Sequence, residues 1–106
     1  RGRVLIEIAY AVPADQREAF VATATAFSKR RRRDGAFGWR LMEDPDRPGV
    51  YLEVFYASSW LEHLRQHGRV TKSDAEAQAA LVAFHVGEQP PEVRHWVAVT
   101  QPQRSR

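Results

Sequence analysis

Apolar and polar side chains alternate along this chain with two different periods. In RVLIEIAYAV, residues 3–12, Val4, Ile6, Ile8 and Tyr10 take turns with Leu5, Glu7 and Ala9, and a period of two predicts a strand. Pro13 then opens a helical pattern with Asp15 and Glu18 in its first turn. Phe20, Ala24 and Phe27 make one stripe at helical spacing, with the methyl of Thr23 along it. AFGWRLMED (36–44) and VYLEVFYA (50–57) predict two further strands joined by the turn chemistry of DPDRPG (44–49). Ser59 and Glu62 stand at capping-box spacing before a helix whose apolar side holds Trp60, Leu61 and Leu64. Gly68 interrupts it. Thr71 and Asp74 offer a second cap, and an alanine-rich stretch runs to about Phe84. Gly87 and Pro90-Pro91 break that pattern before a last strand, VRHWVAV (93–99). The order β-α-β-β-α-β predicts an α+β fold of the ferredoxin-like kind, one antiparallel sheet with helices on one face. It occupies residues 1–100 as one domain and leaves 101–106 as a flexible basic tail.

Pairing the second and third strands with Glu43 opposite Val50 sets Arg40 against Glu53, Met42 against Tyr51 and Gly38 against Phe55. Opposite charges across a strand pair favour that register. The helix-covered face then carries Val4, Ile6, Ile8, Phe37, Trp39, Leu41, Val50, Leu52, Val54, Val93, Val97 and Val99. The other carries Leu5, Glu7, Ala9, Arg40, Met42, Tyr51, Glu53, Phe55, Arg94 and Trp96. That second face is too apolar to stay in water and too charged for a dry core. A second copy of the sheet laid over it is the expected solution, a homodimer enclosing a partly wet cavity. Covered in this way, removing either Arg40 or Glu53 would cost about 3–5 kcal/mol, whereas the exposed pair would be worth well under about 1 kcal/mol.

With 106 residues the chain suits one domain. It has no cysteine, which removes disulfides and thiolate metal sites. No apolar run is long enough to cross a bilayer. The chain opens without Met, almost directly in a strand, as expected of a piece of something longer. The net charge of +3 is uneven, with Lys29 to Arg33 a run of five cations. Because that run closes a helical pattern just before Gly35, it reads as a helix end, where cations favour the dipole, and beside a bilayer it would rest against anionic headgroups. RNA-recognition domains share this strand order, but Glu7 and Glu53 on the middle strands repel phosphate and the aromatic strand signature is missing. No nucleic acid is expected.

His63 and His67 lie i, i+4 on one helix face. No third ligand follows from spacing, and Leu64 stands where zinc proteases need Glu, so no metal and no cofactor is expected. His95 falls on the helix-covered face as a structural histidine. Tyr51, Phe55 and Trp96 are candidate walls for a small apolar or aromatic ligand, with Arg40, Arg94 and Glu53 as its polar contacts and dimer packing as the competing role. Trp60, His63 and His67 are the catalytic candidates.

GVYLEVFYASSW followed by EHLRQHGRVT resembles the dimeric α+β barrel group, which includes small antibiotic-biosynthesis-type monooxygenases. VPADQREAF, RRRRDGAFGWRLMEDPDRPGVYLEVF, SWLEHLRQHGRVTKSD and PPEVRHWV together are similar to the soluble C-terminal domain of the major-facilitator exporters called transmembrane secretion effectors. That resemblance implies a homodimer paired through its sheet. It also implies a place at the cytoplasmic face of the inner membrane, attached to transporter helices outside this soluble stretch. The monooxygenase resemblance implies an aromatic substrate and a base at His63 or His67. Those enzymes and the related haem degraders also use an Asn, and this chain has none. The expected function is therefore a dimerising, ligand-binding domain of an exporter, with a small cofactor-independent monooxygenase as the alternative.

Overall fold

A computed structural model describes residues 2–101, so the expected tail lies outside the described residues beyond Gln101. β1 spans Val4–Ala11 and alternates strictly between buried and half-buried positions. A 3-10 turn over Ala14–Gln16 leads into α1, Arg17–Arg33, which buries Phe20, Ala24, Phe27 and Ser28. β2 (Phe37–Glu43), β3 (Val50–Ala57), α2 (Trp60–His67), α3 (Lys72–Val82) and β4 (Glu92–Val97) complete the chain. The sheet is antiparallel in the order β2-β3-β1-β4, the ferredoxin-like arrangement, with the helices on one face.

The helix ends follow from the sequence. Gly35 takes φ 106°, so Ala36 N–H reaches Arg31 O at 2.9 Å and Gly35 N–H reaches Arg32 O at 3.0 Å. This is the left-handed cap that only Gly adopts cheaply. Ser59 Oγ accepts from Glu62 N, and Thr71 and Asp74 form a reciprocal capping box, so α2 and α3 restart on either side of Gly68.

The hairpin register differs from expectation by one residue. Asp44 N–H, not Glu43, pairs with Val50 O, at 2.8 Å. Glu43 therefore faces Tyr51, Leu41 faces Glu53 and Arg40 faces Val54. The turn decides this. The Asp44 carboxylate accepts from Asp46 N at 2.9 Å and Arg47 Nε at 3.0 Å, and Gly49 at φ 92° closes the loop. A one-residue slip exchanges the faces of a strand. Tyr51, Glu53 and Phe55 accordingly lie under the helices, opposite Tyr10, Ile8 and Ile6 of β1, while Val50, Leu52 and Val54 join the open face. A bulge between Phe37 and Arg40, with Gly38 at φ 66°, resets β2. Phe37 then stacks on Tyr56 on the open face at 5.6 Å, and Trp39 points inward. Val99 falls beyond β4 and is exposed.

The core runs from Val4, Ile6 and Phe27 to a cluster of Tyr10, Tyr51 and Phe84 around Phe20, with ring centroids 5.1–5.8 Å apart. At the far end His85 Nδ1 accepts from Ala11 N at 3.0 Å and its Nε2–H donates to Gln89 O at 2.9 Å, tying the last loop to β1. The open face keeps its apolar character with new occupants. Phe37, Met42 and Trp96 are exposed there beside half-buried Leu5, Leu52 and Tyr56.

Candidate functional site

The stripe that buries Phe20, Ala24 and Phe27 continues one turn further to Arg31. That position carries a guanidinium into the interior, between the rings of Phe27 (4.7 Å) and Phe55 (4.5 Å). There it meets Glu53, which is fully buried. Arg31 Nε and Nη2 donate to the two carboxylate oxygens at 2.9 and 3.1 Å, Tyr10 OH at 2.9 Å and Trp39 Nε1 at 2.8 Å. A buried carboxylate is tolerable because its lone pairs are filled by donors, one of them a cation. Burial, and next the Glu53 charge, push the Tyr10 hydroxyl far above its usual pKa, so it stays a donor.

Next to this lock the helices stand off the sheet and leave a cleft of about 250 Å³. Ile6, Ile8, Phe27, Phe55, Val70 and Val93 supply apolar walls, and Arg31, His63, Gln66, His67 and His95 supply polar ones. Its rim near α3 is held by Asp74, which accepts from Arg30 Nη1, Arg33 Nη2 and Thr71 N. The Arg33 guanidinium, then the Thr71 amide and Arg30, hold the Asp74 carboxyl well below the usual carboxylate range. Three of the five cations in the basic run, Arg30, Arg31 and Arg33, are thus paired with acids rather than presented as a patch.

The helix face that carries His63 and His67 turns toward β4, where His95 points to the same side. His63 is 6% exposed. Its Nδ1 lies 3.3 Å from Gln66 Oε1, and its Nε2 lies 3.1 Å from His95 Nε2 and 3.2 Å from His67 Nε2. An amide oxygen only accepts, so Nδ1 of His63 carries the hydrogen, and in the neutral ring Nε2 is an acceptor whose single lone pair faces both neighbours. Burial lowers the His63 pKa, the neighbouring His67, His95 and Arg31 lower it further, and the Gln66 contact opposes them. Trp60 leans on His63 at 5.5 Å and sits edge-on to His95 at 5.4 Å. Among the described residues, no cluster of His, Cys, Asp and Glu has the arrangement of a metal-ligand set. The Gln66 Nε2 amide is buried without a hydrogen-bond partner, a condition that costs about 1–3 kcal/mol.

The catalytic candidates Trp60, His63 and His67 therefore gather in one place. The six expected ligand contacts do not. The sheet separates them, because the register slip turns Tyr51, Glu53 and Phe55 inward while Arg40, Arg94 and Trp96 stay on the open face. Of the six only Phe55 lines the cleft. Tyr51 packs on Phe20 and Glu53 anchors Arg31. Arg94 pairs with Glu92 at 3.1 Å, and Trp96 Nε1 donates to Glu7 at 3.0 Å. Arg31, Gln66 and the cleft role of His95 escaped the sequence. Two spacings pointed to them: Arg31 is i+4 from Phe27, and Gln66 is i+3 from His63.

The profile describing the transmembrane secretion effector matches residues 1–103. No curated protein sequence matches the chain. Several solved structures share its fold. One is a Bordetella bronchiseptica protein provisionally described as an antibiotic biosynthesis monooxygenase, with TM-score 0.76 and 19% identity over 94% of this chain and 100% of its own. A Caulobacter crescentus protein of the same provisional description gives 0.77 and 18% over 94% and 92%. One from Deinococcus radiodurans gives 0.74 and 15% over 97% and 99%. At such identities these likenesses speak for the fold alone.

Proposed function

Because the chain belongs to the transmembrane secretion effector family, we propose that it is a ligand-holding, dimerising domain of a membrane exporter and not an enzyme. The exporter's membrane-spanning part lies outside this chain, in which no helix among the described residues is long and apolar enough to cross a membrane. The proposed location is the cytoplasmic face of the inner membrane. The cleft carries this reading, because apolar walls with a few convergent polar groups are the usual make-up of a small-molecule site. At about 250 Å³ it suits a molecule of one or two rings. The ligand site is thus moved from the sheet's open face to the space beneath the helices. The open face is left for a second copy of the chain, its exposed Phe37, Met42 and Trp96 being the reason.

The monooxygenase alternative draws on the fold likeness and on His63 beside Trp60. Against it, both ring nitrogens of His63 are engaged, so it cannot take a substrate proton without giving up a contact. Incubating the chain with a dihydroxyaromatic under oxygen decides between the two. Saturable binding with no oxygen uptake and no product supports the holding domain, and turnover refutes it. A dimeric mass in solution, lost on Leu52→Glu, supports pairing through the open face, and a monomer at high concentration refutes it.

A further inference from the structure

The cleft holds hydrogen-bond donors that the fold leaves unspent. Glu53, behind Arg31, and Asp74, on the rim, each already accept four contacts. Asp34 is turned to Arg33 at 3.5 Å. His63 Nε2 is taken up by His67 and His95. On the donor side, Arg31 spends Nε–H and one Nη2–H on Glu53, and three of the five N–H groups of a guanidinium then remain. The Gln66 side-chain amide is buried with no acceptor. Both groups belong to the wall that faces Ile6, Ile8 and Phe55. A plain hydrocarbon leaves the amide and guanidinium unanswered.

We propose that the cleft takes a small planar acid, a carboxylate or phenolate on one or two fused rings, with its ionised oxygen received by the Arg31 guanidinium and the Gln66 amide and its rings laid against Ile6, Ile8 and Phe55. This rests on the cleft being the ligand site and adds the charge and shape of what enters. The charges around the cleft balance, Arg30, Arg31 and Arg33 against Glu53, Asp74 and Asp34, so the preference for an anion comes from the unspent donors of Arg31 and Gln66. His63, His67 and His95 complete the wall without a negative charge.

Isothermal titration with three probes that share one ring system tests this: 2-naphthoate, 2-naphthalenemethanol and 2-naphthylmethylammonium. The expected order is anion, then neutral, then cation, with naphthoate at least about tenfold tighter than the alcohol, the step that charge-assisted hydrogen bonds give. Gln66→Glu keeps the acceptor for His63 and replaces the donor by a charge. It is expected to weaken naphthoate about tenfold or more while the alcohol binds as before. Trp96→Ala, on the open face, is expected to change neither. Equal binding of all three probes overturns the anion assignment and leaves the cleft as a ligand site. Loss of naphthoate in Trp96→Ala instead of Gln66→Glu places the ligand on the other face and overturns both. No binding of any probe also overturns both.

Discussion

Glu53→Gln is the sharpest test of how this interior is held. The substitution keeps volume but removes the charge and one acceptor oxygen. Tyr10 can turn its hydroxyl and recover. Arg31 and Trp39 cannot, because guanidinium and indole only donate, and one of them must meet the new amide N–H. Two contacts between Arg31 and a carboxylate, at about 1.5–3 kcal/mol each, give roughly 3–6 kcal/mol. The general cost of breaking a buried ion pair from one side is about 3–5 kcal/mol. The two routes agree, and the loss is a large fraction of the roughly 5–15 kcal/mol that holds a domain together. In urea, with a slope of about 1.5 kcal/mol/M, the midpoint should fall by about 2–3 M at unchanged slope. Arg40→Ala, measured on dilute protein, should stay within about 0.5 kcal/mol, since Arg40 lies exposed opposite Val54. Replacing Arg31 and Glu53 together by Met and Leu should restore much of the loss, because apolar isosteres of a buried pair are often neutral. A Glu53→Gln cost below about 1 kcal/mol, or a larger cost for Arg40→Ala, would refute the observed register and the lock with it.

Other expectations concern the edges of the fold. Gly38→Ala asks a side chain to adopt φ 66° with its Cβ 2.9 Å from Tyr56 Cδ2; the expected loss is about 1–2 kcal/mol by urea titration, and no loss would mean the bulge relaxes freely. Thr71→Ala removes the acceptor for Asp74 N and should cost about 1 kcal/mol, seen as faster amide exchange at the start of α3 before anywhere else. The lowered pKa of His63 means the unfolded chain binds its proton first. Its contribution is therefore complete above the ordinary value of 6.5 and lost as pH falls below it, and His63→Leu should remove that part of the pH-stability slope. Asp74, held low, contributes above its ordinary value of 3.8 and loses that only in stronger acid, so the two losses should appear as separate steps.

The alternation of β1, the Phe20–Ala24–Phe27 stripe, the Gly35 cap and the break at Gly68 were all legible, because each rests on local chemistry. The face of β3 was not. VYLEVFYA is apolar in both phases, and Glu53 is the natural residue to turn outward as long as the whole basic run is a helix end. Arg31 reverses this. A cation inside a buried stripe looks like a fault until the carboxylate it serves is found 22 positions further on. The three histidines show the same limit. The spacing of His63 and His67 placed them on one face, but only the β1–β4 pairing brings His95 to them.

Arg31 fills one side of the cleft and braces the interior with the same side chain, and this gives an unidentified ligand a way of being found. Any compound that settles there favours the folded chain by mass action, by about 2.7 kcal/mol at a hundredfold excess over its dissociation constant. For a domain of this length that raises the melting temperature by roughly 10–20 °C. A library of natural products can thus be sorted by heat alone.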